Sequence, residues 1–213
     1  MMNLKDEKER AKKIFSLLKK EYPDVKIALD FSTPFQLLIA TILSAQCTDE
    51  RVNIVTKELF KKYKTPEDFI SVSQEELEKS IFSTGFYKQK AKSIQTCCKA
   101  LIEKHNGEVP KDFDALTHLA GVGRKTASVV LGNAFGIPAV AVDTHVKRLS
   151  NLLGFIKSDD AEKIEFRIKE LLPESDWTIS GHLLMDHGRK ICVARRPKCL
   201  DCKLADLCPG VTY

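Results

Sequence analysis

The stretch Leu119-Ala-Gly-Val-Gly-Arg-Lys-Thr126 closes one helical pattern and opens another. Two glycines flank a small apolar residue, a composition suited to a tight turn that lets backbones approach closely. The first amides of the helix that follows point outward and carry partial positive charge, which suits a phosphate. By shape alone an ordinary helix–helix corner is the better reading. The next residues favour the ligand reading. Arg124 and Lys125 stand at a helix N-terminus, where cations are electrostatically misplaced unless an anion lies nearby. The same partial charge, the neighbouring Arg124 and some burial would lower the Lys125 pKa, and a neutral amine is a nucleophile. The competing reading of Lys125 is a solvated surface lysine.

Downstream lies Ala141-Val-Asp-Thr-His145, an acid following a short apolar run. Asp143 is a natural N-cap, and capping would fix its carboxylate and keep it ionised. His145 reads as structural or phosphate-contacting rather than as a general base. The C-terminal region holds Cys192, Cys199, Cys202 and Cys208 within 17 residues. Four thiols so close together suit a tetrahedral metal site or an iron–sulfur cluster. Structural zinc sites usually pair two close knuckles, whereas here only Cys199 and Cys202 form a close pair, which tilts the choice toward iron–sulfur. Arg195, Arg196 and Lys198 lie between the first two cysteines, so a metal-pinned loop would present three cations to a phosphate backbone. Cys47, Cys97 and Cys98 sit in apolar helical patterns and read as small buried hydrophobes.

The rest of the chain predicts helix almost throughout. Residues 3–21 carry an amphipathic pattern ended by Pro23. Thr33-Pro34 opens an apolar helix expected to run to Gln46, and Thr48 opens the next, to about Tyr63. Thr65-Pro66 repeats the Thr-Pro start, and Ser73-Gln-Glu-Glu76 predicts a capping box. Gly85 breaks the pattern before a basic helix from Phe86 to Asn106. Short helix 113–119 precedes the glycine turn, and an Ala- and Val-rich buried helix follows to Phe135. Residues 139–142 form an extended connector. Further helices are expected to Leu153, from Asp159 to Leu172, and from Glu174 to Cys192. No strand of normal length is expected, so the fold class is all-α.

Of 213 residues, 34 are Lys or Arg and 29 are Asp or Glu, a net charge of +5 that permits a polyanionic partner without requiring one. No apolar run is long enough for a membrane span, and the charged N-terminus lacks a signal core, which predicts a cytoplasmic protein without structural disulfides.

Three segments together resemble the endonuclease III family of helix-hairpin-helix DNA glycosylases: Leu119 to Ala127, Val142-Asp-Thr-His145 and the cysteine loop. Leu43-Ser-Ala-Gln-Cys-Thr-Asp49, Gly85-Phe-Tyr87 and His105-Asn-Gly-Glu-Val-Pro110 extend the likeness over nearly the whole chain. The resemblance implies a helical barrel domain, 26–137, containing the helix-hairpin-helix at about 113–134. It also implies an iron–sulfur domain, 1–25 plus 138–213, with a cleft between the two. It implies one 4Fe-4S cluster on the four C-terminal cysteines, Lys125 as nucleophile and Asp143 as essential acid. The activity implied is removal of oxidised pyrimidines from duplex DNA, followed by β-elimination at the abasic site. The expected partner is damaged or abasic double-stranded DNA, bound by a monomer that is nucleoid-associated if bacterial. Gly121, Gly123, Arg124, Thr126, His145 and the loop cations would contact DNA. Gln46 matches the family's void-filling glutamine, and Phe86 stands where a leucine wedge is common. Ala120 replaces a commoner proline. Adenine–mismatch relatives typically lack the lysine and carry a further C-terminal domain, whereas this sequence has Lys125 and ends five residues after Cys208. Two other readings stay open, a monofunctional mismatch glycosylase and a non-catalytic DNA-binding protein with a metal loop.

Overall fold

The computed structural model describes residues 3–211, which contain eleven α-helices, a few 3-10 turns and no strand. They divide into two compact units. One is the continuous segment Ile27–Ile137, and the other joins the residues through Lys26 to those from Pro138 onward.

The continuous unit is built around α2, Pro34–Leu43. Thr33 caps it by accepting from the Gln36 amide, and Pro34 supplies a first-turn residue that needs no donor. Its mean hydropathy is high, and Leu37, Leu38, Ile39 and Leu43 are fully buried. A helix apolar on every side must be covered on every side. α3 (Asp49–Lys62), α6 (Tyr87–His105) and α8 (Arg124–Ala134) provide that cover. α4 (Pro66–Ser71) and α5 (Gln74–Ile81) pack against α6. Phe69 of α4 fills the junction, with its ring 5.6 Å from Phe35 edge-on and 5.3 Å from Tyr63. Short α7, Phe113–Thr117, leads into the glycine turn and lies on α8.

The second unit begins with α1 (Leu4–Glu21), whose buried face is Ala11, Ile14, Phe15 and Leu18. That face packs with α9 (Thr144–Leu152), α10 (Ala161–Leu171) and α11 (Trp177–Lys190) in one apolar core. The Arg10 guanidinium donates to the carbonyls of Leu153 and Leu207, at 2.8 and 2.9 Å, tying the first helix to the last segment. Gly181 lets α11 approach the connector, since a Cβ there would lie 3.2 Å from the Ala141 carbonyl oxygen.

Helix starts followed their capping residues closely; some ends did not. α2 stops at Leu43 rather than Gln46, because Gln46 takes the left-handed conformation at φ 53°. The reciprocal half of the box expected at Ser73 is absent among the described contacts. Ser73 accepts from the Glu76 amide, while the Glu76 carboxylate accepts from the Tyr63 hydroxyl at 2.8 Å. The last helix is split by a 3-10 turn at Glu174–Asp176 and ends at Lys190. Cys97 and Cys98 are fully buried as expected, but Cys47 is only half-buried, because it lies in the turn after Gln46 and not inside α2.

Candidate active-site and DNA-contact residues

Six of the nine α-helices of eight residues or more among the described residues begin with a side-chain cap. Asn3, Thr33, Thr48, Ser73, Asp143 and Asp160 each accept a hydrogen bond from the first turn they precede. In the continuous unit two starts differ. α6 begins at Phe86 and α8 at Gly123, neither with a capping side chain. The first amides of α8 are therefore not satisfied by a cap, and a Cβ built on Gly123 would meet nothing within 4 Å. The result is an open helix N-terminus with space in front of it, the geometry that binds an anion.

The two glycines of the turn have different physical jobs. Gly121 is left-handed at φ 79°, and a Cβ there would stand 3.0 Å from Cβ of Ser93 and 3.5 Å from Ile42. Gly123 has φ −96°, open to any residue. One glycine is required by the fold, and the other leaves room for something outside it. Arg124 stacks its guanidinium over the Phe113 ring at 4.8 Å, bracing α7 against α8. Lys125 follows in the first turn with its side chain exposed, so the burial expected of it from the sequence is not found. Thr126 is half-buried.

Gln46 and Phe86 form a second group. Both are exposed, and both are left-handed without being glycine, with φ 53° and 47°. Such backbone costs of order 1–3 kcal/mol and persists where surrounding structure enforces it. Phe86 is 65% exposed, so it is not part of the core.

In the other unit, Asp143 caps α9, with Oδ1 accepting from the Val146 amide at 2.8 Å. The carboxylate is half-buried and fixed in orientation. His145 lies in the first turn of α9, against α11, where Gly188 makes room: a Cβ there would be 2.8 Å from its Nδ1. Burial pushes the His145 pKa down, and its buried Nδ1 has no hydrogen-bond partner among the described residues. Its ring packs in the α9–α11 contact.

Cys192, Cys199, Cys202 and Cys208 line one cavity of about 300 Å³, together with Arg148 and apolar side chains such as Leu149 and Leu204. Among the described residues, no three His, Cys, Asp or Glu side chains converge closely enough to grip a single ion. The four thiols surround a volume. Burial raises the pKa of Cys192, Cys202 and Cys208, so losing their protons calls for a positive partner. Donors are already aimed at this ring. The Leu204 amide lies 3.4 Å from the Cys202 sulfur, and His187 Nε2 is at the same distance from it. His187 is held from behind by the Tyr22 hydroxyl, 3.1 Å from Nδ1. Arg148 donates to the Cys192 and Gly188 carbonyls, at 2.5 and 3.2 Å. Ligand sulfurs with N–H donors behind them, around an enclosed space, fit a bound cluster. Arg195, Arg196 and Lys198 all point into solvent from the same loop. The donors Leu204 N, His187 and Tyr22 were missed by sequence reasoning, since neither backbone amides nor a tyrosine some 180 residues away carry a local signal.

Residues 39–174 match the family described as HhH-GPD superfamily base excision DNA repair protein. The helices and the uncapped hairpin thus define a base excision DNA repair protein. Among curated relatives, endonuclease III of a Synechocystis species is 49% identical over 211 residues, covering 99% of this chain and 96% of its own. Endonuclease III of Bacillus subtilis is 49% identical over 188 residues, covering 88% and 86%. A solved structure described as a trapped endonuclease III–DNA covalent intermediate, an estranged-adenine complex, superposes with TM-score 0.92 at 47% identity over 99% of this chain and 97% of that one. The chain belongs to the endonuclease III family, and its all-helical structure is the helix-hairpin-helix glycosylase fold of that family. No helix among the described residues is long and apolar enough to cross a membrane.

Proposed function

We propose that this chain is a bifunctional DNA glycosylase and abasic-site lyase that removes oxidised pyrimidines from duplex DNA, with Lys125 as nucleophile and Asp143 as the essential acid. The observation that carries the reading is an exposed lysine in the first turn of a helix whose N-terminus is uncapped and unobstructed. A phosphate of the damaged strand sits on the α8 amides, next to Gly123. The target nucleotide must leave the stack before C1′ can be reached. Gln46 and Phe86 then occupy the gap, and an aromatic side chain stacking on exposed bases contributes ~1–3 kcal/mol.

The chemistry follows from an amine nucleophile. Lys125 Nζ bonds to C1′ as the bond to the base breaks, and the base departs with a proton. Opening of the sugar ring gives an iminium between Nζ and C1′. That cation acidifies the C2′ hydrogens; loss of one expels the 3′ phosphate and cuts the strand. A water nucleophile would stop after base loss, so the lyase step belongs to the lysine. Asp143, oriented by its cap bond to Val146, would stabilise positive charge developing on the sugar or help deprotonate the lysine.

Cys192, Cys199, Cys202 and Cys208 would hold one 4Fe-4S cluster, whose contribution when bound is to pin the loop that presents Arg195, Arg196 and Lys198 to the DNA backbone. About four iron and four sulfide per chain is the expected composition, and one zinc per chain would refute it. The protein acts as a monomer in this reading, in the compartment that holds the DNA.

Borohydride trapping on abasic duplex DNA tests the mechanism. A covalent adduct is expected with the unaltered chain and none with Lys125→Gln. Base release without an adduct would mean a monofunctional enzyme. DNA binding with no base release would mean a non-catalytic module.

A further inference from the structure

Lys90 is the one buried lysine or arginine among the described residues, at 5% exposure, and it stands in the first turn of α6. The other buried charged side chain of this kind, Glu165, has Lys169 within 2.5 Å. No carboxylate partner is found for Lys90 among the described residues. Its Nζ instead donates to two main-chain carbonyls, of Leu43 and Thr84, each at 2.8 Å. Burying an ammonium is costly, and an apolar side chain of similar size would serve packing better. Burial pulls the Lys90 pKa down. A neutral amine retains two N–H groups, enough for both carbonyls, so the bonds do not depend on charge.

The positions of those carbonyls give the lysine its meaning. Leu43 ends α2, where carbonyls lack helical partners, and the left-handed Gln46 follows three residues later. Thr84 directly precedes Gly85 and Phe86, both left-handed. The Lys90 amide also donates to the Phe86 carbonyl, at 3.0 Å. One residue thus grips both loops that hold a strained, exposed side chain. We propose that Lys90 is a positioning residue for base extrusion, tying the Gln46 loop to the Phe86 loop so that both side chains enter the gap together. This rests on the void-filling reading of Gln46 and Phe86 above.

The test compares Lys90→Met, which keeps the stem and loses the donors, with Lys90→Gln, which keeps donors on a shorter arm. Two single-turnover rates are read, well below the melting temperature of each variant. The first is base release from a duplex with one oxidised pyrimidine, which requires extrusion. The second is strand cleavage at a preformed abasic site, where no base is stacked. Lys90→Met should slow base release by roughly 10- to 100-fold, as misplacement of positioning groups does, with Lys90→Gln in between. Abasic cleavage should stay within about threefold of the unaltered rate. Added to Gln46→Ala plus Phe86→Ala, Lys90→Met should have little further effect, since it acts through those residues. Equal loss on both substrates, or fully multiplicative losses, would overturn the proposal. If the Gln46→Ala, Phe86→Ala variant releases base normally, the void-filling reading itself fails; if only that variant is defective and Lys90→Met is not, the tether alone fails. Should Lys90→Met not fold, hydrogen exchange in the unaltered protein decides. The amides of Cys47, Gly85 and Lys90, which donate to the Ser44, Phe82 and Phe86 carbonyls, should open with one shared free energy, and separate openings would overturn the tether.

Discussion

Replacing Gly121 and Gly123 separately by alanine should split the hairpin's stability from its affinity for DNA. At Gly121 the new residue would sit at φ 79°, a conformation that costs an L-residue roughly 1–2 kcal/mol. Its Cβ would also stand 3.0 Å from Cβ of Ser93, an atom next to the α6 backbone and unable to swing aside. Forcing that contact costs a further 1–3 kcal/mol or so, as overpacking does. The two terms together come to about 2–5 kcal/mol, equivalent to a melting temperature lower by roughly 4–20 °C for a chain of this size. At Gly123 the backbone is compatible with alanine and nothing lies within 4 Å of the added methyl. A gain of about 0.4–1 kcal/mol from a stiffer unfolded chain is offset by a weaker N-cap, leaving stability within ~0.5 kcal/mol. The methyl would nevertheless stand before the open amides of α8. A loss of about 1.4 kcal/mol there would raise the Kd for abasic duplex tenfold. Calorimetry and fluorescence anisotropy at one fixed salt concentration measure both quantities. Equal destabilisation by the two substitutions, or unaltered DNA affinity for Gly123→Ala, would refute the assignment of one glycine to the fold and the other to a phosphate.

Asp143→Asn keeps an equally good cap oxygen for the Val146 amide, so melting should move by no more than the equivalent of ~0.5 kcal/mol. Base release should fall sharply with DNA affinity nearly unchanged; a large loss of binding in anisotropy would make Asp143 mainly structural. Asp68 accepts from the Lys64 and Thr65 amides at 2.8 and 3.0 Å, and these bonds hold its carboxyl below the ordinary value of 3.8. The native state then binds fewer protons than the unfolded one, so this contribution is complete above that value and lost as pH falls through the lowered one. The melting-temperature gap between the unaltered chain and Asp68→Asn should therefore narrow on acidification below pH 3.8, and a gap that widens would contradict the sign.

Helix starts were legible because caps are local. Thr33, Thr48, Thr65, Ser73 and Asp143 each announce a helix from one residue, and each side chain is found bonded to its first turn. The glycine turn was legible as a turn, but not the division of labour within it, since Ser93 and Ile42, which forbid a side chain at 121, are distant in sequence. Burial of Lys125 was expected and is not found, because α8 turns its second residue outward while Ala127 to Leu131 face the core. Lys90 passed unnoticed in a helix with many lysines. Its burial and its two carbonyl partners depend on how α2, α6 and the Gly85 turn meet.

The bond from Arg10 to the Leu207 carbonyl joins residues almost at opposite ends of the chain. During synthesis the first helix leaves the ribosome long before its partners exist. At ~5–20 residues per second, α1 waits on the order of ten seconds or more before α9, α10 and α11 can cover it. Through that interval Ile14, Phe15 and Leu18 form an uncovered apolar stripe, while the continuous segment Ile27–Ile137 has all its contacts available. The newborn chain thus has an order of assembly written into its connectivity. The middle can condense first, and the amino-terminal helix keeps its apolar stripe uncovered until the last segment arrives to hold it in place.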